Sequence, residues 1–260
     1  EGMDDLHQPT GVIAAAQELA AAAFGADRSY FLVNGTSAGV QAMLLAACRD
    51  GDPVVLPRNI HKSILAGVIL SGARPVFVQP ELDHELGLAL GVTPEAVRQA
   101  LARTPGARAA LVLYPTYHGV AADVRGLAAA AHDAGVPLLV DEAHGPHFRF
   151  HPALPTPALE AGADACAQGL HKIAGGLTQA SILHVRRGRV DVPRLEAVLR
   201  LIQTTSASYL LLASLDAARL HLATEGRQLL DRALALAAWV RERVNVIPGL
   251  YAFGGERLGG

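Results

Sequence analysis

Short apolar runs alternate with longer alanine-rich segments along most of this chain, and this alternation restricts the possible folds most strongly. Seven runs are apolar enough to form strands covered on both faces, at 29–33, 53–57, 75–79, 109–114, 136–141, 163–168 and 180–185. Between them the sequence predicts helices at 11–23, 37–49, 61–71, 94–103, 123–134 and 156–161. Strands joined by crossover helices form a largely parallel sheet with helices on both faces. The predicted fold class is therefore α/β, a three-layer sandwich.

The pattern changes after residue 190, where no further strand is predicted until the C-terminal end. Three helical segments follow, "DVPRLEAVLRLIQ", "SASYLLLASLDAARLHLATEG" and "RQLLDRALALAAWVRERV", and "NVIPGLYAFGG" is predicted to begin a new strand. The third segment is long and amphipathic, which is typical of a helix that joins two domains. We therefore predict a large domain over 1–225, and a linking helix with the start of a truncated small C-terminal domain over 226–260.

Composition argues against several classes of partner. The net charge is −2 with 18% charged residues, so the chain lacks the basic excess typical of nucleic-acid binding. No uninterrupted apolar run reaches the roughly 18 residues that a membrane span needs, and no secretory signal is recognised. Cys48 and Cys166 are far apart and form no CxxC motif, so we expect both to be buried and structural. A cytoplasmic location with no membrane partner is expected.

Lysine is rare in this chain. Of the 22 lysine and arginine residues only Lys62 and Lys172 are lysines. Arginine stays protonated at all accessible pH values, whereas lysine becomes a neutral amine nucleophile once burial or a neighbouring charge lowers its pKa. Lys172 follows a predicted strand and precedes a glycine-rich turn, whereas Lys62 lies just inside a predicted helix, from which it would point to solvent. Lys172 is therefore the candidate nucleophile.

Unusual polar groups follow five of the predicted strands, at the edge where open parallel sheets bind ligands. The segments are "NGTSAG" at 34–39, "RNIHKS" at 58–63, "PTYHG" at 115–119, "DEAHG" at 141–145 and "GLHK" at 169–172. Because the carboxyl ends of parallel strands meet at one edge, we expect these segments to converge on one cleft.

Each segment also has a simpler explanation. "NGTSAG" is either a turn with a helix cap or a phosphate cradle at a helix N-terminus. Asp141 either pairs with an arginine or faces a cationic ligand atom. The run "DEAHGPH" would also suit a zinc site, although no third ligand is obvious, and His61 and His171 are each compatible with an ordinary surface or core histidine. Taken together, an anion site, a carboxylate, a histidine and a reactive lysine indicate pyridoxal 5′-phosphate, held through an imine-forming lysine.

The order and spacing of these motifs, together with "LTQAS" at 177–181, resemble the bacterial ornithine/lysine/arginine decarboxylase family of the aspartate-aminotransferase-like fold type I. The resemblance covers nearly all of residues 3–187. It implies a mostly parallel seven-stranded sheet in which 180–185 is the antiparallel strand. It also implies a homodimer with cofactor sites at the subunit interface.

The resemblance also implies roles for individual residues. Lys172 would bond covalently to the cofactor, and Asp141 would hold the pyridine nitrogen protonated. His61 would stack on one face of the ring and Ala143 would pack against the other. The phosphate would be bound by the segment Gly35-Thr36-Ser37, helped by His171. His144 would orient Asp141 or contact the phenolic oxygen of the ring, and Thr178 would reach the site of the neighbouring subunit.

One position departs from the family pattern, because Gly169 stands where a serine usually contributes a hydrogen bond to the phosphate. Losing such a bond costs on the order of 1.5–3 kcal/mol, so weaker cofactor binding is expected. The expected reaction is α-decarboxylation of lysine, arginine or ornithine, giving a diamine or agmatine for polyamine synthesis. Transamination or aldol cleavage, a non-catalytic truncated domain and a metal-dependent hydrolase remain alternatives, since fold alone does not determine chemistry.

Overall fold

The computed structural model describes residues 4–255 and contains a central sheet of seven strands. The strands in chain order are β1 Arg28–Leu32, β2 Pro53–Pro57, β3 Arg74–Val78, β4 Leu82–Asp83, β5 Leu88–Ala89, β6 Ala109–Leu113, β7 Leu138–Asp141, β8 Ala165–Gln168 and β9 Ser181–Val185. The sheet order is β1-β9-β8-β7-β6-β2-β3, while β4 and β5 form a separate small hairpin that was not predicted. All seven predicted strands are present, and β9 is the antiparallel strand, as expected.

Eight α-helices connect or cover these strands in the described part of the chain. They are α1 Val12–Phe24, α2 Gly35–Ala47, α3 Lys62–Ser71, α4 Pro94–Ala102, α5 Val124–Asp133, α6 Leu170–Ile173, α7 Val192–Ile202 and α8 Tyr209–Asn245. Side-chain caps at Thr93, Asp123 and Asp191 accept backbone N–H groups at the starts of α4, α5 and α7. These caps satisfy donors that would otherwise lack a partner, which explains where the three helices begin.

Alternating side chains along the strands divide the core into two faces. In β2, Val54 and Leu56 pack with α2, α3 and α7, whereas Val55 points to the opposite face with α4 and α5. On that opposite face, Phe31 and Ile182 pack against α1 and the first half of α8. Because successive side chains of a strand point to opposite faces, an uninterrupted apolar run is what a sheet between two helical layers requires. The predicted three-layer sandwich is confirmed.

The reversed direction of β9 matters for the site. β1, β2, β6, β7 and β8 all end at one edge of the sheet, and β9 begins at that same edge because it runs antiparallel to β1 and β8. The "LTQAS" segment that enters β9 therefore joins the five polar segments that leave the parallel strands.

Two predictions about local structure are wrong. Residues 156–161 contain turns rather than a helix, because the chain changes direction at Gly162, whose φ is +112°, and the N–H of Asp164 already donates to the Leu138 carbonyl beside the sheet. The segment "NVIPGLYAFGG" forms no strand as far as Gly255. It folds back on the preceding helix, where Asn245 bonds both the N–H and the carbonyl of Ala252, so no strand partner is available.

The second and third predicted helices after residue 190 are one continuous helix, α8, rather than two. Gly226 lies in its middle, where a Cβ would come within 3.1 Å of Phe150 Cβ, so glycine permits close packing there. A single interior glycine costs a helix only about 1 kcal/mol, which packing offsets. The predicted division at residues 225 and 226 falls inside α8 and stays a prediction. Within 4–255, none of the helices combines the length and the hydrophobicity needed to cross a membrane.

Candidate active site

A cavity of about 490 Å³ lies at the edge of the sheet where the parallel strands end. It has the size of a small-molecule site. All ten residues predicted for the site line it, namely Gly35, Thr36, Ser37, His61, Asp141, Ala143, His144, His171, Lys172 and Thr178. The topology thus brings together residues that are up to 143 positions apart in the chain, from Gly35 to Thr178.

Asp141 forms the floor of this cavity at the end of β7. Asp141 is only 3% exposed, and its Oδ1 accepts a hydrogen bond from the N–H of Ala143 at 3.2 Å. Burial raises the pKa of Asp141 to about 6, and the Ala143 hydrogen bond and the charge of Lys172 oppose this shift. No arginine pairs with Asp141 among the described residues, so the salt-bridge explanation is not supported. A buried carboxylate at a cavity wall suits a cationic group of a ligand.

Lys172 lies on the short helix α6, directly after β8. Its Nζ is 2.9 Å from Nε2 of His144. Burial lowers the pKa of Lys172, although the charge of Asp141 opposes the change. Burial likewise lowers the pKa of His144, and the Lys172 charge adds to the effect. A neutral His144 accepts a hydrogen bond from the Lys172 ammonium, which orients the amine within the cavity.

His61 sits on the cavity wall at the N-cap of α3. Its Nδ1 accepts the N–H of Ser63 at 3.2 Å, so the ring proton of the neutral form is on Nε2. Burial lowers the pKa of His61, and the charges of Lys172 and Lys62 lower it further. The cap contact holds a flat, neutral ring at the cavity wall, as stacking on another flat ring requires. Lys62 is exposed and does not line the cavity, as predicted.

The segment from Gly35 to Ser37 begins helix α2, and no described side chain caps that helix. The hydroxyls of Thr36 and Ser37 line the cavity beside the helix N-terminus, where backbone N–H groups and the helix dipole favour an anion. Thr36 Oγ1 also lies 2.9 Å from Ser181 Oγ. His171 borders the same part of the cavity. The donors therefore fit a phosphate group.

Gly169 is tightly packed between Ala143 and Thr36 at this part of the site. A Cβ at this position would be 2.9 Å from the carbonyl oxygen of Ala143 and 3.0 Å from Thr36 Oγ1. A serine side chain would therefore not fit without movement of Thr36 or of the Ala143 backbone. The glycine is explained by close packing around the cradle.

The side chains of "DEAHGPH" point in different directions. Glu142 is fully buried and accepts hydrogen bonds from Gln168 Nε2 and Ala158 N, both at 2.8 Å. His147 packs against Phe148, and burial lowers its pKa to about 4. Within the described ranges, no three His, Cys, Asp or Glu residues are arranged to hold a metal ion. The diverging side chains argue against the metal-site interpretation.

Several further residues line the cavity, and the family resemblance implies no role for them. Tyr117, from "PTYHG", is 80% exposed at the cavity mouth, and its ring meets the His144 ring edge-on with 6.0 Å between centroids. Asn59 and Ser63 come from "RNIHKS", and Gln179 comes from the loop before β9. The sequence feature that could have indicated a role for Tyr117 is its position as an aromatic residue shortly after the end of a strand. Thr178 is exposed on the rim of this chain's own cavity, and its contact with a second subunit stays a prediction.

Comparison with known proteins assigns the family. The sequence profile described as Orn/Lys/Arg decarboxylase, major domain, matches residues 1–255. The chain belongs to the Orn/Lys/Arg decarboxylase family. It is 52% identical to an arginine decarboxylase of Bacillus subtilis over all of this chain and 53% of that protein. It is 32% identical to lysine decarboxylase LdcA of Pseudomonas aeruginosa, over 80% of this chain and 31% of that protein.

Solved structures agree with this assignment. Lysine decarboxylase A of Pseudomonas aeruginosa superposes with a TM-score of 0.82 at 28% identity, covering 96% of this family member and 37% of that chain. A serine palmitoyltransferase of Sphingomonas wittichii shares the fold, with a TM-score of 0.64 at 21% identity. The match covers 82% of this chain and 51% of the transferase chain. The chain spans about half the length of its arginine decarboxylase relatives, at 53% and 52%.

Proposed function

We propose that the protein to which this chain belongs is a pyridoxal 5′-phosphate-dependent decarboxylase of a basic amino acid. The observation that carries the proposal is the placement of Lys172 and the buried Asp141 in one cavity with a hydroxyl-lined helix N-terminus. Arginine is the first substrate to test, because the four relatives at 48–52% identity are named arginine decarboxylases. The product would then be agmatine, a polyamine precursor.

The residues of the cavity fit this cofactor chemically. Asp141, which pairs with no arginine of residues 4–255, would hold the pyridine nitrogen protonated, and the Lys172 amine would attach the aldehyde carbon. Thr36, Ser37 and the first turn of α2 would bind the phosphate, and His61 would cover one ring face while Ala143 leaves room on the other. When bound, the cofactor supplies a ring that accepts electrons from a breaking bond at the α-carbon.

His144 would control the state of the lysine. Its Nε2 lies within hydrogen-bond distance of Lys172 Nζ and can accept a proton from the ammonium as the amine becomes a nucleophile. Its lowered pKa keeps the imidazole available as an acceptor. Tyr117, packed edge-on against the same ring, would limit how far His144 can move.

A homodimer and a cytoplasmic location complete the proposal. The exposed positions of Thr178 and Tyr117 at the cavity mouth suit a site that a second subunit closes. Two free, buried cysteines, Cys48 and Cys166, are consistent with a reducing compartment.

The first test is covalent attachment. Pyridoxal phosphate is added to the purified protein, the product is reduced with borohydride, and peptide mass spectrometry locates the adduct. We expect the adduct on Lys172, and Lys172→Arg should abolish it because the guanidinium stays protonated. Lys62→Ala is the matched control, since it removes the other lysine outside the cavity. An adduct on Lys62, or one retained by Lys172→Arg, would overturn the proposal.

Substrate assays then identify the reaction. Release of carbon dioxide is measured from arginine, lysine and ornithine, and Lys172→Arg should lower turnover by on the order of 1000-fold or more. Attachment at Lys172 without carbon dioxide release from any of the three would contradict decarboxylation. Formation of a keto acid or an aldehyde instead would indicate transamination or aldol cleavage.

A further inference from the structure

Ser181 is a buried polar residue behind the phosphate cradle, and it has no assigned role. It is the first residue of β9, it is 0% exposed, and it does not line the cavity. Its Oγ lies 2.9 Å from Thr36 Oγ1 and 3.4 Å from His171 Nδ1. Both of those residues do line the cavity, so Ser181 contacts the cradle from behind.

The carbonyl acceptor fixes the direction of the His171 hydrogen bond, and it leaves Ser181 able to donate to Thr36. His171 Nδ1 is 3.1 Å from the carbonyl oxygen of Ala180, which can only accept, so Nδ1 carries a proton. The Ser181 hydroxyl oxygen can accept from the same N–H at longer range and donate its own hydrogen to Thr36 Oγ1. Thr36, having accepted one hydrogen bond, is then free to point its hydroxyl hydrogen into the cavity.

The space around Gly169 shows why this arrangement matters here. A Cβ at 169 would lie 2.9 Å from the Ala143 carbonyl oxygen and 3.0 Å from Thr36 Oγ1, so a hydroxyl could enter from that side only if these groups moved. Thr36 Oγ1 occupies the space toward which a side chain at 169 would extend. The orientation of the Thr36 hydroxyl therefore affects how well this cradle donates to an anion.

We propose that Ser181 is a positioning residue that turns the Thr36 hydroxyl hydrogen toward the phosphate of the bound cofactor. The proposal rests on the proposed function, since it requires pyridoxal phosphate in the cavity. It adds a residue that never contacts the cofactor and that acts only through Thr36. Ser181 thus contributes to the cradle from a position that a serine at 169 cannot take.

The test compares two aldehydes that differ only in the phosphate. Dissociation constants of pyridoxal phosphate and of pyridoxal are measured by absorbance titration for the unaltered protein and for Ser181→Ala. We expect Ser181→Ala to weaken pyridoxal phosphate binding about ten-fold, because one charge-assisted hydrogen bond is lost, and to leave pyridoxal binding within about two-fold. Ser181→Cys has nearly the same size and a weaker donor, so it should give an intermediate loss, and it replaces the alanine variant if that fails to fold.

A double-mutant cycle separates positioning from general packing. Thr36→Val removes the hydroxyl through which Ser181 acts, so adding Ser181→Ala to Thr36→Val should cause no further loss of pyridoxal phosphate affinity. Equal losses for both aldehydes, additive losses in the cycle, or unchanged affinity in Ser181→Ala and Ser181→Cys would overturn the inference while the proposed function stands. Failure of the unaltered protein to attach either aldehyde at Lys172 would overturn both.

Discussion

At the residue scale, the buried carboxyl group of Asp141 makes the stability of the protein depend on pH. Burial raises its pKa from 3.8 to about 6, so the folded protein without cofactor binds this proton more tightly than the unfolded chain does. The contribution of the group to stability is therefore fully present below pH 4 and is lost as the pH rises through 6. Above that pH the protein keeps a buried charge that the Ala143 N–H and the Lys172 charge compensate only in part.

Asp141→Asn should consequently stabilise the cofactor-free protein at pH 8 by about 1–3 kcal/mol, because the amide has a similar shape and no charge to desolvate. The gain should shrink as the pH falls toward 4. Urea unfolding at pH 8 and pH 5 measures the difference. Glu18→Gln, at an exposed position of α1, is the control and should change little at either pH. Equal stability of Asp141→Asn and the unaltered protein at pH 8 would contradict a raised pKa at this site.

At the element scale, two glutamines protect the edge strand β1. Gln17 Oε1 accepts the N–H of Phe31 at 2.8 Å, and Gln203 Oε1 accepts the N–H of Val33 at 2.9 Å. Gln203 Nε2 also donates to the carbonyl of Phe31. These side chains stand in for a neighbouring strand at Phe31 and Val33, so this part of the edge is already paired and less open to another chain. Val33 leads directly into Asn34 and the cradle, so the edge contacts also position the start of α2.

Gln203→Leu should destabilise the protein by about 1–3 kcal/mol, because the buried N–H of Val33 loses its acceptor. Gln203→Glu keeps an acceptor for that N–H, but it brings a buried carboxylate against the Phe31 carbonyl oxygen and should therefore also destabilise the protein at neutral pH. Gln8→Leu, at an exposed position, is the control. Urea unfolding ranks the three variants. A Gln203→Leu variant as stable as the control would show that water or a backbone shift satisfies Val33.

At the scale of the whole molecule, the end of the chain stands apart from the sandwich. Buried residues of α8 end at Leu230, and the helix continues to Asn245 with Leu236, Trp239 and Val240 exposed. Arg241 and Asn245 make their hydrogen bonds to Phe253 and Ala252, within the same segment. The sandwich is therefore complete before this segment begins.

A chain that ends at Ala233 should keep the free energy of unfolding within about 1 kcal/mol, since it loses no buried α8 residue and retains the His151–Asp231 contact. It should also keep cofactor attachment at Lys172. Far-UV circular dichroism is the appropriate probe, because the single tryptophan, Trp239, is 57% exposed and lies in the deleted part. A loss well beyond 2 kcal/mol would mean that residues 234–260 belong to the folding unit.

Sequence patterns were sufficient where the cause of a structure is local. The seven strands were predictable because apolar runs of strand length need two covered faces, and Thr93 and Asp123 marked helix starts because their caps lie within three residues. The two wrong predictions depend on distant partners. The 156–161 segment has to turn into β8, where Asp164 donates to Leu138, twenty-six positions away, and residues 246–255 lack the strand partner that a β-conformation needs.

The sequence by itself determined the α/β layering, the reversed last strand through its family resemblance, and which segments meet at one edge of the sheet. Only the tertiary structure decided how the side chains in those segments point. Glu142 turns into the core while Asp141 faces the cavity, because successive residues leave a strand in opposite directions. Ser181 reaches Thr36 across 145 positions, and Gly169 leaves no space for a side chain beside them. Such contacts follow from packing between distant segments, which no local pattern records.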